Sequence, residues 1–381
     1  MTSDALALTE WILTIGRMAG PQGLVDQLGP RLRAEGVSVM RIRLGMRTTH
    51  PLTAALSYIW ECVPGPSFLP EAPHGLETRA AYVGSPMDTV HRTMRPLRRR
   101  LLEPLGDTDH EVLHELKEQG ATDYYALPLE FVQNRRGIMI FVGDDAKGFC
   151  DADIALFDAI ARATAPVAEA QANYHLATAI ATSYLGTRTG QRVLDGQITR
   201  GDIETIRAAI LVSDIRGWTA LNASRPAAEA LAVANRYFEV MSDAVENNNG
   251  EILKFMGDGV LALFPSDGSP TGEIEACREA VAAAHAARGI AVLAELTVGF
   301  GVGIHVGEVL YGNVGARERL DFTILGQSVN IAARVEAFCG PLDQPVLVSD
   351  AVARGIGAGM THVATEPLKG VDTPMALYAP S

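Results

Sequence analysis

From Asp151 to about Leu185 the sequence keeps a helical pattern for more than 30 residues, longer than a helix packed inside one domain usually runs. A rod of that length divides a chain of 381 residues into two parts, each large enough to bury a core of its own. Its Ala-rich stretch, residues 159–181, is interrupted by Arg162, Pro166, Glu169 and His175. No window of about 18 uncharged apolar residues occurs, so a soluble helix is expected and not a membrane span. In Tyr184-Leu-Gly186-Thr-Arg-Thr-Gly190-Gln-Arg-Val-Leu194, both glycines are expected to break the helical pattern.

Beyond the rod, apolar runs alternate with helical stretches. Residues 208–212 read as a buried strand, and Asp214 follows where that strand gives way to a turn and a helix. Asp258 sits in Gly257-Asp258-Gly259 between the apolar runs 252–256 and 260–264, which places it at the tip of a tight hairpin. If the two strands are neighbours, both carboxylates project from one edge of a sheet. Such oxygen ligands suit Mg2+, which usually takes one or two protein carboxylates and completes its shell with substrate phosphates. Taken singly, Asp214 also reads as a helix cap and Asp258 as a turn residue. An Ala-rich helix is expected over 273–289, a helix over 328–338, and edge strands at 345–348 and 375–378. Residues 296–306 contain Gly299-Phe-Gly301-Val-Gly303, whose spacing misses the G-x-G-x-x-G pattern and which no helix follows. They read as a strand that lets another backbone or a nucleotide come close. Together these elements predict an α/β domain with a mostly antiparallel sheet.

Three segments, Ser-Asp214-Ile-Arg-Gly217-Trp-Thr219, Lys254-Phe-Met-Gly257-Asp258 and Phe322-Thr323-Ile-Leu-Gly326-Gln-Ser-Val-Asn330-Ile-Ala-Ala-Arg334, resemble the signature segments of the class III nucleotidyl cyclase catalytic domain. Their order and spacing match, over roughly residues 205–380. The resemblance implies a ferredoxin-like α/β catalytic domain over 201–381 that converts ATP to 3′,5′-cyclic AMP and pyrophosphate. It implies two Mg2+ or Mn2+ ions per site, held by Asp214, the Ile215 carbonyl and Asp258. Backbone N–H groups of Gly217, Trp218 and Thr219 would face phosphate oxygens. Asn330 and Arg334, four apart on one helix face, would orient the ribose and stabilise charge on phosphorus. Lys369 would reach the terminal phosphates, with Arg319 a second candidate. Lys254 matches the lysine that reads adenine N1, and Thr323 its partner position. Many members carry Asp there and guanylyl members a Glu and Cys pair, whereas Thr323 matches a bacterial subgroup that uses Thr. ATP is therefore the expected substrate and GTP the alternative. Since that family takes the metal carboxylates from one protomer and the remaining groups from the other, a homodimer is expected. A silent nucleotide-binding regulator is a further alternative, which the completeness of the residue set disfavours. A diguanylate cyclase would carry a Gly-Gly-Asp/Glu-Glu-Phe turn, and Met256-Gly257-Asp258-Gly259 lacks it.

In the first 150 residues, helices are expected at 5–16 and 21–35, strands at 37–44 and 56–60, and loop over 63–80. A strongly basic helix is expected over 85–103, with Arg92, Arg95, Arg98, Arg99 and Arg100 either touching an anionic ligand or forming a solvated face. Residues 124–169 resemble the last two strands and closing helix of a GAF domain. This implies a sensor or regulatory domain over 1–150, its ligand unknown, followed by a signalling helix and transducer linker over 151–200. His50, His74, His91, His110 and His114 are expected at the surface. The i, i+4 pair His110 and His114 lacks a third metal ligand. Cys62, Cys150, Cys277 and Cys339 form no CxxC pair, so neither a zinc site nor a disulfide framework is expected, and Cys62 and Cys150 read as half-buried thiols. A net charge of −13 argues against nucleic-acid binding and adhesion to anionic membranes, and leaves a triphosphate to be handled by local cations. Residues 1–10 have no basic segment before an apolar core, so the cytoplasm is expected.

Overall fold

The computed structural model describes residues 3–48, 53–63, 71–73, 75, 78–79, 81–132, 135–199, 201–317, 319–369, 371 and 373–381. The chain forms two compact units, Met1–Ile180 and Ala181–Ser381.

The first unit contains helices α1 (Ser3–Leu13) and α2 (Gly20–Ala34), strands β1 (Val39–Arg47), β2 (Thr53–Glu61) and β3 (Glu71–Pro73), then α3 (Pro86–Thr93), β4 (Leu97–Arg100), α4 (Glu111–Glu118), β5 (Asp123–Glu130) and β6 (Arg136–Gly143). Helix α5 (Asp151–Leu185) follows without interruption by Pro166. The strands form one sheet in the order β3-β2-β1-β6-β5-β4, every pair antiparallel. Along β1 the alternation buries Ile42, Leu44 and Met46 in a core shared with Leu24 and Leu28 of α2. Phe157 and Ile160 of α5 join the same core, and Phe157 stacks on Phe141 at 4.0 Å.

Several expectations for this unit need correcting. The run 85–103 is not one helix. Pro96 biases Arg95 away from helical backbone, α3 stops at a left-handed Met94 (φ 52°), and Arg98 to Arg100 lie on β4. There Arg98 pairs with the buried Asp123 at 2.7 Å and Arg99 with Asp109 at 2.8 Å, so these two charges are neutralised within the fold. His91 is buried and not at the surface. His110 is the N-cap of α4, its Nδ1 accepting from the Val112 N–H. His50 and His74 lie outside the described residues. Cys62 and Cys150 are exposed, not half-buried, while Cys277 and Cys339 are buried.

The second unit comprises α6 (Thr187–Leu194), β7 (Ile203–Ile215), α7 (Trp218–Ser224), α8 (Ala227–Glu246), β8 (Glu251–Met256), β9 (Gly259–Pro265), α9 (Pro270–Leu293), β10 (Phe300–Gly315), β11 (Leu320–Leu325), α10 (Gln327–Ala337), β12 (Val346–Ser349), α11 (Asp350–Ile356), β13 (Met360–Glu366) and β14 (Met375–Pro380). Its mixed α/β sheet runs β13-β14-β12-β10-β7-β9-β8, with β11 paired to the far half of β10. The β10–β12 pair is parallel and the others are antiparallel. Residues 345–348, expected at an edge, lie inside the sheet, and β13 forms that edge. From Ala208 to Ser213, β7 is buried on both faces: Ala209 and Leu211 pack against helices α8 and α9, and Ala208, Ile210 and Val212 pack against Phe322, Ile324 and Ala332. Gly190, expected to break the helical run, sits inside α6. A Cβ there would lie 2.8 Å from the Ala181 carbonyl carbon, so this glycine permits two backbones to touch. Gly186, at φ 85°, makes the break alone.

Candidate active site

Near the end of β7, alternation sends consecutive side chains to opposite faces. The Ser213 hydroxyl accepts from Tyr237 of α8 at 2.7 Å, and Asp214 therefore falls on the other face. Asp214 is paired in register with Gly259, the first residue of β9, so Asp258 in the preceding turn stands next to it. Gly257 supplies the positive φ of 68° that closes this turn. The two carboxyl groups share a hydrogen bond. Burial, then that bond and the Asp258 charge, push the Asp214 carboxyl up to about 6. Asp214 Oδ1 also accepts from the Ile215 N–H at 3.1 Å. Two carboxylates this close repel unless a proton or a cation lies between them, and that donor set fits a divalent cation. Among the described residues no group of three or more His, Cys, Asp and Glu side chains is arranged to hold a metal ion. The pair with the Ile215 carbonyl thus fits only a partial shell of the kind Mg2+ accepts when substrate oxygens supply the rest.

A third carboxylate approaches this pair, and sequence reasoning missed it. Gly301 lies opposite Asp214 in the β7–β10 register, and a Cβ on Gly301 would be 2.6 Å from Glu336 Oε1 of α10. Burial and then the Asp214 charge push the Glu336 carboxyl up to about 7, with Arg216 opposing. At Gly303 a Cβ would lie 2.2 Å from the Glu336 backbone nitrogen. The glycine alternation is therefore the track on which α10 rests, which is the close backbone approach expected of it. Arg216 secures the segment after α10, its Nη2 donating to the Cys339 and Gln344 carbonyls at 2.9 and 2.5 Å. The alternating glycines signalled a close approach, but nothing in their spacing named the helix that makes it.

Helix α10 also carries Asn330, exposed, and Arg334, half-buried. On the β8 side, the Lys254 ammonium is held by the Asp321 carboxylate, a residue the sequence reading did not single out. Thr323 stands two residues further along β11, buried and opposite Gly312. Lys254 and Asp321 line a cavity of about 590 Å3 that Tyr184, Glu246 and Phe255 also border. Gly217, at φ 69°, leads into α7, with Trp218 half-buried against the core and Thr219 exposed. Lys369 and Arg319 are exposed. Asp214, Asp258 and Glu336 form one group and Lys254 with Asp321 a second. No hydrogen bond or ion pair among the described residues joins the two.

Residues 203–373 match the adenylate and guanylate cyclase catalytic domain. Adenylate cyclase 1 of Rhizobium meliloti is 35% identical over 149 residues, covering 37% of this chain and 22% of that protein. The adenylate cyclase of Anabaena cylindrica is 31% identical over 163 residues, 41% of this chain and 32% of that protein. The crystal structure of the adenylyl cyclase CyaB from P. aeruginosa is 26% identical, covers 47% of this chain and 96% of that chain, and superposes with a TM-score of 0.43. The chain spans 22% and 32% of the length of these two curated relatives.

The cyclase-like domain is tied to the helix before it by a buried carboxylate. Glu251, at the start of β8 and only 6% exposed, accepts from the Thr189 N–H at 2.8 Å, from the Thr189 hydroxyl at 2.6 Å and from the Tyr311 hydroxyl at 3.1 Å. Arg192 of α6 covers the Tyr311 ring at 4.9 Å and pairs with Glu204. Helix α6, β8 and β10 therefore meet on one acid three residues before Lys254. No helix among the described residues is long and apolar enough to cross a membrane.

Proposed function

We propose that the C-terminal unit is an adenylate cyclase converting ATP to 3′,5′-cyclic AMP and pyrophosphate. The observation that carries this reading is the Asp214–Asp258 pair, two carboxylates brought together at the end of β7 and the turn before β9, where a bound cation would offset the cost of ionising both. Asp214, Asp258 and the Ile215 carbonyl would hold two Mg2+ or Mn2+ ions. The chemistry such ions supply is a lower pKa for the ribose 3′-hydroxyl and neutralised charge on the departing pyrophosphate. In the reaction, the 3′-oxygen forms a bond to the α-phosphorus, the bond from that phosphorus to the bridging oxygen of pyrophosphate breaks, and the hydroxyl proton passes to solvent. The protein contributes alignment and charge. Asn330 orients the ribose, Arg334 faces the charge on phosphorus, and the N–H groups of Gly217, Trp218 and Thr219 face phosphate oxygens. Lys369 and Arg319 serve the terminal phosphates. Lys254 donates to adenine N1 and Thr323 accepts from the adenine amine. In this reading the protein is a cytoplasmic homodimer in which each site draws on both protomers. Residues 1–150 form a GAF-like regulatory domain, and residues 151–200 connect it to the catalytic domain.

One observation favours GTP as the second reading. The Asp321 carboxylate beside Lys254 is a group able to accept from guanine N1–H and its exocyclic amine. Incubating the purified protein with ATP or GTP plus Mg2+ or Mn2+, and identifying the product by mass, separates the two. Cyclic AMP is expected. Asp258→Ala should lower turnover by at least about 100-fold, the scale on which a lost metal or charge-stabilising contact is felt. No cyclic product from either nucleotide would leave only a silent binding domain.

A further inference from the structure

The N-terminal unit encloses a cavity of about 310 Å3 between its sheet and helices α3 and α4. Most of its wall is apolar, with Met46, Leu56, Leu116, Ile138 and Ile140 among the lining residues. Among the described residues, two buried polar atoms at this wall have no partner: Arg43 Nε, from the middle of β1, and His91 Nε2, from α3. Arg43 spends one guanidinium nitrogen on Ser57 Oγ at 2.8 Å and leaves Nε unused. His91 is 7% exposed, and its Nδ1 meets the Tyr82 hydroxyl at 2.8 Å. Burial and the charges of Arg47 and Arg136 push the His91 imidazole down to about 4, so it is neutral at physiological pH. With the Tyr82 hydroxyl as donor to Nδ1, the ring proton sits on Nε2.

Arg41, Arg43 and Glu115 are among the charged residues that line the cavity. Arg41 already has Glu61 at 2.5 Å, but Arg43 has no carboxylate among its hydrogen-bond partners. A buried cation without a counterion and a buried N–H without an acceptor are both costly, and a fold keeps them where something else completes them. Two donors, one charged and one neutral, set against an apolar wall match a single carboxylate with a hydrocarbon body. A phosphate dianion has more acceptor oxygens than these two unused donors can satisfy. We propose that this cavity binds a small organic carboxylate, its acid group on Arg43 Nε–H and His91 Nε2–H and its apolar body against Leu56, Ile138 and Ile140. The volume admits roughly 10–15 non-hydrogen atoms, the small end of the range for ligand sites. This site is independent of the reaction assigned to the C-terminal unit.

The test is calorimetric titration of the full chain with octanoate and with 4-phenylbutyrate, against 1-octanol, octanamide and inorganic phosphate. At least one carboxylate should bind once per chain in the micromolar to low millimolar range, and at least tenfold more tightly than its neutral counterpart. Arg43→Met should weaken that binding at least tenfold while leaving the Tm of the unliganded protein equal or higher, because an unpaired buried charge is removed. His91→Phe should weaken it too. Leu56→Trp fills the cavity from its apolar side, touches neither donor and should abolish binding, and it decides the matter if Arg43→Met fails to fold. Silence from every carboxylate, equal affinity for the neutral analogues, preference for phosphate, or undiminished binding to a folded Arg43→Met or Leu56→Trp protein would each overturn the proposal.

Discussion

Asp214 pays a measurable cost for standing beside Asp258. Its carboxyl is pushed up to about 6, above the ordinary carboxylate near 3.9, so ionising it destabilises the folded chain. The penalty is absent below about pH 4, grows as pH rises through the window between the two values, and is complete above about 6. Much of the side chain still meets solvent, which reduces the effect to about 1 kcal/mol. In the absence of divalent cations, Asp214→Asn should therefore raise Tm at pH 7.5 by about 2–4 °C, with the gap to wild type closing as pH falls to 4. Scanning fluorimetry across that range reads it directly, and a gap that stays constant with pH would show that the two acids do not share a proton. Asp321 raises a different question, since it fixes the ammonium assigned to the base. Asp321→Ala should lower kcat/KM for ATP by about tenfold through a misplaced Lys254, and unchanged kinetics would make that ion pair incidental.

At the level of elements, the glycine track on β10 governs where α10 can lie. Gly303→Ala would place a methyl 2.2 Å from the Glu336 nitrogen, so the helix must lift, at a cost of about 1–3 kcal/mol and with at least a tenfold loss of turnover as Asn330 and Arg334 move. Gly299→Ala is the control. Its nearest neighbour would be Arg216 Cδ at 3.9 Å, and a change within about 0.5 kcal/mol is expected in urea unfolding. The sequence made some of this legible for physical reasons. Asp214 and Asp258 could be located because each sits where an apolar run ends, and the alternating glycines announced that something must press on their strand. Glu336 and Asp321 could not, because a carboxylate on a helix or an arm carries no periodic signal of what it will meet across a fold. In the basic stretch charge spacing alone suggests one helix, whereas the Pro96 ring decides the backbone there. The burial of His91 leaves no mark in the sequence, because a lone histidine says nothing about its own surroundings.

For the molecule as a whole, β10 and β11 form an arm on which Leu310 and Leu325 lie opposite each other, both more than 40% exposed, on the face away from Phe322 and Ile324. Apolar side chains grouped in this way favour a covering partner. A second copy of this chain is the partner that the proposed shared sites require. Mixing Asp214→Ala with Arg334→Ala protein should restore activity to roughly a quarter of wild type, since random pairing makes half the dimers mixed and each mixed dimer keeps one whole site. A mixture as inactive as its components would argue that sites are not shared. Glu251 bears on how small a working fragment can be. Cutting the chain at residue 203, where the family match begins, would strip this acid of both Thr189 donors and leave the Tyr311 hydroxyl as its one remaining donor among the described residues, a loss of about 1–3 kcal/mol. The short helix ahead of the matched region thus behaves as part of its foundation, and a fragment that begins upstream of Thr189 should melt at a higher temperature than one that begins at residue 203.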